Sequence, residues 1–392
     1  MTFYPLAMET FGNEEEQAIN DVVASGRFSM GPAVARFESQ FAEFFGSRHA
    51  IMVNSGSSAN LLAVASMFYP SAVKLAPGDQ VIVPAVGWST SYTPFHQYGL
   101  KLKFVDIDRQ TLNYDMDALA SALDHSTKAV LAINALGNPN DLPRLAEMCS
   151  AADAILLEDN CESMGARIAG RAAGTYGLLG TFSFFFSHHI STMEGGMVLT
   201  DDDELRDIML SLRAHGWTRD LSDKNTLVEK KLDPFQEMFR FILPGYNVRP
   251  LEFSGALGEV QLRRFPSFLS QRRQNAAHFV GLFSELEPAL SVQREIGESS
   301  WFGFAIVLNQ EAGTSRKQLV NAFGQAGVEC RPVIAGNFLK QSVVDYFDYS
   351  VHQTLENADI VHNHGLFIGN HHIDMRAKID KVYAIVREVM GS

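Results

Sequence analysis

An α/β layered fold with a mostly parallel sheet follows from three features of the sequence. Short apolar runs recur at residues 51–53, 81–84, 102–105, 129–133, 155–157, 181–186 and 197–200. Several are continuously apolar rather than alternating, the pattern of strands buried on both faces. Helix-like stretches lie between them, and strands alternating with helices build a parallel sheet.

Taken in order, helices are expected over 60–68, 116–123 and 142–150, each between two apolar runs, and over 203–213 after the last run. Residues 219–240 are charged and irregular and read as a loop or arm. From about Arg249 the rhythm changes. A long helix-like stretch spans 251–286, with a kink or break expected near Pro266, because proline removes a helix N–H and crowds the preceding turn. Possible strands follow at 302–307 and 328–332. The division expected is a large domain over 1–250, N-terminal segment included, then a linking helix and a smaller α+β domain over 251–392. The sequence contains no internal repeat and no low-complexity tract.

Composition narrows the function classes. The 392 residues are 46% hydrophobic and 20% charged, ordinary for a soluble globular protein. A net charge of −13 argues against binding a nucleic-acid backbone. The start, MTFYPLAMETFGNEEEQ, lacks the basic and apolar regions of a secretory signal, and no run is long enough to span a membrane. The three cysteines, Cys149, Cys161 and Cys330, are odd in number and widely spaced, so a reducing cytoplasm is expected and a disulfide framework is not. A four-cysteine iron–sulfur site cannot be built from three thiols in one chain.

Several short motifs carry chemistry, each with a plainer alternative. Asn54-Ser55-Gly56-Ser57-Ser58-Ala59-Asn60 follows a strand and opens a helix. Its amides and hydroxyls suit either a phosphate or a simple helix cap. Trp88 lies just past another strand, where an aromatic either stacks on a planar ligand or joins the core. Glu158, Asp159 and Glu162 cluster at the end of a buried run. Buried carboxylates require a nearby cation, whether an arginine, a lysine or a protonated ring nitrogen.

Ser183 is placed to add a hydroxyl to the same anion site. His188 and His189 are adjacent, but neighbouring strand residues face opposite ways and no ligand spacing surrounds them, so no metal site is expected. His215 and Arg219 follow, Arg219 suiting either a phosphate or sugar or simply the surface. Pro244-Gly245-Tyr246-Asn247-Val248-Arg249 reads as a turn at the end of the arm.

In this order, the motifs resemble the DegT/DnrJ/StrS sugar aminotransferase family. The resemblance runs from Gly31-Pro32-Ala33-Val34-Ala35-Arg36-Phe37-Glu38 through Asn54-Ser55-Gly56-Ser57, Glu158-Asp159, Ser183-Phe184 and Glu194-Gly195-Gly196 to Gly245-Tyr246-Asn247-Val248-Arg249. It implies the fold-type I architecture of pyridoxal phosphate enzymes. That is a large cofactor-binding domain with a seven-stranded, mostly parallel sheet between helices, and a smaller C-terminal domain. By the same resemblance Gly56, Ser57 and Ser183 hold the cofactor phosphate and Asn247 reaches the phosphate of the partner subunit of a homodimer. Trp88 stacks on the ring and Asp159 pairs with the pyridine N–H. Glu162 stands where many members carry glutamine.

At one position the pattern departs. The family's Schiff-base lysine lies five residues after the motif serine, and counting from Ser183 gives His188. No lysine occurs between Lys128 and Lys224 to replace it. An imidazole cannot form a stable imine with the cofactor aldehyde, yet with an ordinary pKa of about 6.5 it can still move protons. The resemblance therefore implies non-covalently held pyridoxal or pyridoxamine phosphate, with His188 as the acid–base residue. Two subgroups of the family carry this histidine. One adds an iron–sulfur cluster on four cysteines, which this chain lacks. The other consists of cluster-free dehydratases that use L-glutamate and a GDP-sugar, GDP-4-keto-6-deoxymannose, and remove its C3 hydroxyl. His215, Arg219 and Arg331 are the candidates for substrate, Arg331 also for the glutamate carboxylate. Two other readings stay open here: a silent aminotransferase-like binding protein, and a lysine-to-histidine variant of a sugar aminotransferase.

Overall fold

The computed structural model describes residues 2–69, 74–230 and 233–391. The apolar runs become strands β1 (His49–Val53), β2 (Gln80–Pro84), β3 (Lys101–Val105), β4 (Thr127–Ile133) and β5 (Ile155–Asp159). A small hairpin, β6 (Arg167–Ile168) and β7 (Arg171–Ala172), precedes β8 (Leu179–Ser183) and β9 (Gly196–Thr200). The C-terminal part adds β10 (Leu290–Val292), β11 (Gly303–Leu308), β12 (Cys330–Arg331), β13 (Tyr349–Val351) and β14 (Gly365–Gly369).

The main sheet has the order β1-β9-β8-β5-β4-β2-β3-β13. It is parallel from β8 to β13, and β9 runs antiparallel to both its neighbours. Both faces are covered. Val81 and Val83 pack in one cluster with Leu62 and Phe95, while Ile82 packs on the other face with Leu142 and Leu145, as the two-residue strand period requires. The smaller sheet, β10-β11-β14-β12, is antiparallel throughout.

Three expectations are corrected. The large sheet has eight strands rather than seven, because β13 adds to the β3 edge through the pairs Tyr349–Leu102, Ser350–Lys103 and Val351–Phe104. The run at 181–186 stops being a strand at Ser183, and Phe185 and Phe186 turn outward. The helix Glu252–Phe283 is not broken at Pro266, the break being the part of that expectation which is overturned. Burial of Leu262, Phe265 and Phe268 around the proline holds the turn that lacks one N–H bond, so tertiary packing outweighs local propensity.

Candidate active site

The carboxyl ends of β2, β5 and β8 converge where the helix Gly56–Ser66 begins, the place where open α/β sheets gather ligands. Ser55 caps that helix by accepting the Ser58 N–H at 3.1 Å. The N-cap alternative for this motif is thus real. The Ser57 hydroxyl pairs with that of Thr90 at 2.8 Å. Gly56 lies so close to β8 that an added Cβ would meet the Ser183 Cβ at 2.5 Å and Oγ at 2.9 Å. Gly196 is required in the same way, since a Cβ there would lie 2.3 Å from the Ser55 carbonyl oxygen. These contacts bring Ser183 and the helix terminus together, as the sequence motifs predict.

Asp159 ends β5 and is 5% exposed. Its carboxylate accepts from Asn60 Nδ2 at 2.9 Å, Ser91 Oγ at 2.7 Å and the Cys161 N–H at 3.0 Å. All three donors are neutral. Among the described residues no arginine or lysine pairs with it, so the ion-pair alternative for this carboxylate fails. A buried anion satisfied only by neutral donors leaves room for an external cation. Neighbouring Glu158 takes a different route, accepting the Gly174 and Gly177 N–H groups, both at 2.7 Å.

Glu162 accepts the Leu136 N–H at 3.0 Å. Burial, with the Asp159 charge adding to it, pushes its carboxyl up to about 7 against the pull of that N–H. Trp88 stands before the helix Ser89–Gln97 and is 57% exposed, so it is no core residue and its ring is available to a ligand.

His188 lies in the segment after β8. Its ring meets Phe302 edge-on at 5.2 Å between centroids, and Phe185 at 6.0 Å. The residue keeps some exposed surface, but Nδ1 is shut off from solvent and has no partner among the described residues. Burial lowers its pKa to about 4. Arg272 pushes the same way, while Asp159 and main-chain groups of Ser183 and Cys161 oppose it. The imidazole is therefore neutral at neutral pH. His189 points elsewhere, with Nε2 at 3.2 Å from the Ser300 carbonyl.

His215, Arg219 and Asn247 form a second group. Arg219 lies over the Trp217 ring at 4.1 Å and the Phe239 ring at 5.4 Å. His215 adopts φ 62° and meets Trp217 edge-on at 5.0 Å. Asn247 is exposed and accepts from Arg249 Nε at 3.0 Å. The adjacent Val248 carbonyl accepts the Asn54 N–H at 3.0 Å, which ties this segment to the helix-opening motif. Arg331 is exposed on β12, paired with Phe367 of β14, and among the described residues no hydrogen bond or ring contact joins it to His188. Sequence reasoning missed Asn60, Ser91 and Thr90, polar helix residues with no local signal. It also missed Arg272 and Phe302, brought in from the C-terminal part.

Comparison with known proteins decides the family. The profile of the DegT/DnrJ/EryC1/StrS aminotransferases matches residues 9–387. The chain belongs to this family. A GDP-4-keto-6-deoxy-D-mannose 3-dehydratase of Yersinia pseudotuberculosis is 52% identical over 390 residues, 99% of each chain. The solved E. coli GDP-4-keto-6-deoxy-D-mannose 3-dehydratase with bound hydrated PLP superposes with TM-score 0.97. It is 52% identical over 98% of this chain and all of that one. A GDP-4-keto-6-deoxymannose 3-dehydratase with a trapped PLP–glutamate geminal diamine is also 52% identical. It covers 98% of this chain and all of that one, with TM-score 0.96.

The residues present fit the family's cofactor. Asp159 lacks a cationic partner, which a protonated ring nitrogen supplies. The side-chain-free cradle at Gly56 beside Ser183 and Ser57 suits a phosphate.

Proposed function

We propose that this chain is a cluster-free dehydratase dependent on pyridoxal or pyridoxamine phosphate. It removes the C3 hydroxyl of GDP-4-keto-6-deoxymannose, with L-glutamate as amino donor. The observation that carries the reading is the imidazole of His188 at the lysine position, packed against Phe302, in a site where the buried Asp159 carboxylate has only neutral donors. The balance closes as glutamate and the 4-keto sugar giving 2-oxoglutarate, ammonia and GDP-4-keto-3,6-dideoxymannose. This places the enzyme in the biosynthesis of a dideoxysugar such as colitose, a constituent of lipopolysaccharide O-antigen.

When bound, the cofactor supplies an amine for the C4 carbonyl of the sugar and an electron-withdrawing ring. Asp159 holds the ring nitrogen protonated, and Asn60 and Ser91 fix the carboxylate for that task. Gly56, Ser57 and Ser183 hold the phosphate, and Trp88 covers the ring. Glu162, held by the Leu136 N–H, would stand beside the ring. His188 would take the α-proton of glutamate in one half-reaction; in the other it would take a proton from the cofactor's methylene carbon and pass it to the departing C3 hydroxyl, which leaves as water. No amine stands at position 188 to displace the sugar nitrogen, so the path to an amino sugar is disfavoured. His215, Arg219 and Arg331 serve substrate. The site is completed in a homodimer by Asn247 of the second copy, and the enzyme works in the cytoplasm. Among the described residues no helix is long and apolar enough to cross a membrane.

The test is incubation with pyridoxal phosphate, glutamate and GDP-4-keto-6-deoxymannose, followed by assay of ammonia, 2-oxoglutarate and sugar mass. Ammonia together with loss of one oxygen from the sugar is expected. An amino sugar without a 3-deoxy sugar would overturn the reading.

A further inference from the structure

His188 is not held by its own segment alone. The element facing its ring is 300–302, from the C-terminal part of the chain, and hydrogen bonds fix its main chain, the Trp301 N–H donating to Ser299 Oγ at 3.1 Å. The Ser300 N–H donates to the Gly137 carbonyl at 2.8 Å and the Phe302 N–H to the Leu136 carbonyl at 2.9 Å. The Ser300 carbonyl faces His189 Nε2, and the Trp301 carbonyl accepts from Asn370 Nδ2 at 2.9 Å. The Phe302 carbonyl accepts from Arg272 Nη1 at 3.2 Å.

Two non-glycine residues on these paired segments, Leu136 at φ 50° and Trp301 at φ 48°, hold left-handed conformations. Such strain survives only where the surroundings enforce it. Arg272 is itself unusual. It is 3% exposed and makes no ion pair with a carboxylate among the described residues. It is held by the Phe302 and Asn370 carbonyls, the second at 2.6 Å. A buried guanidinium is costly without compensation, yet here it bridges two carbonyls, one of them on the Phe302 peptide. The side chain on that peptide packs edge-on against His188.

We propose that Phe302 is a positioning residue for His188: its ring closes one side of the imidazole, and Arg272 and Leu136 fix its backbone so that the ring stays there. The proposal rests on the reading of His188 as the acid–base residue. The Leu136 N–H donates to Glu162, so the residue that accepts from Phe302 also holds Glu162. The charged and titratable groups acting on His188 are Asp159 and Arg272, with His189 adjacent in sequence. Removing the Phe302 ring admits water to the imidazole while leaving those charges in place. Hydration favours the charged imidazolium, so the free base persists over a narrower range and the titration midpoint rises.

The test is a histidine NMR titration of the cofactor-free chain, with the His188 signal assigned through His188→Asn, for wild type, Phe302→Leu and Phe302→Tyr. Melting curves confirm that each variant is folded. Phe302→Leu is expected to raise the His188 midpoint by about one pH unit. Phe302→Tyr, which keeps the ring, stays near wild type. In turnover, Phe302→Leu lowers kcat about tenfold with little change in the KM for glutamate, and its acid limb moves up with the midpoint. An unmoved midpoint in folded Phe302→Leu overturns the proposal. A moved midpoint in a chain that never turns over the sugar leaves the positioning role standing and removes the dehydratase reading instead.

Discussion

At the residue scale, the proposed division of work between an imidazole and a carboxylate rests on the different environments of His188 and Asp159. His188→Asn keeps much of the shape but cannot move a proton. Its expected loss is about 10²–10⁴-fold in the rate of 2-oxoglutarate release, with glutamate and cofactor still bound, as single-turnover absorbance would show. Glu162 offers a stability test in the cofactor-free chain. Its folded pKa, about 7, lies above the unfolded carboxyl value of 4.5. The folded state therefore prefers the protonated form. Ionisation destabilises the fold progressively as pH rises from 4.5 through 7, and the penalty is full above that. Glu162→Gln removes the ionisation while keeping an acceptor for the Leu136 N–H. Denaturant melts should show it more stable than wild type by about 1–3 kcal/mol at pH 8 and nearly equal at pH 4.5. The reverse trend would mean that the buried carboxylate is compensated in the free protein. His188, Asp159 and Glu162 were all legible in the sequence, because a departure from a motif and a run of acids at a strand end are local signals. Asn60 and Ser91 were not, since a polar residue inside a helix reveals its partner only after the sheet has brought Asp159 to it.

Between elements, the critical distance is that of the helix Gly56–Ser66 from β8. The helix opens against the end of that strand with no room for a methyl group. Gly56→Ala forces either Ser183 or the helix start to move, a strain of about 1–3 kcal/mol. The cofactor phosphate then meets a displaced set of amides. Equilibrium dialysis is expected to show at least tenfold weaker retention of pyridoxal phosphate, with a melting temperature lowered but a cooperative transition kept. Unchanged retention would place the phosphate elsewhere. The seven strands predicted ahead of residue 201 all lie in the large sheet, and they were legible because most of their residues are buried and apolar. β13 escaped notice for the opposite reason. Its three residues are exposed, and it pairs with a strand far away in sequence. The break expected at Pro266 failed because a local rule was applied where packing on both sides of the proline decides.

On the scale of the whole molecule, the open question is how the two groups of candidate residues meet. His188 and its neighbours gather at the strand ends, while Asn247, His215 and Arg219 sit with Trp217 beside an arm whose Phe235, Phe239 and Phe241 are exposed. Exposed aromatic side chains in such number suit burial in an interface. A two-fold dimer would place each arm against the other copy's site. Asn247→Asp sets a negative charge against the cofactor phosphate and is expected to inactivate its site, as His188→Asn does. If the two residues act in the same site from different subunits, a mixed dimer holds one doubly altered site and one intact site. Co-refolding the two inactive variants in equal amounts should then restore about a quarter of wild-type turnover, since half of the dimers are mixed and each has one working site. If both residues act within one subunit, every site carries a lesion and no activity returns. Sedimentation of each variant before mixing, expected at dimer mass, separates that result from a simple failure to associate.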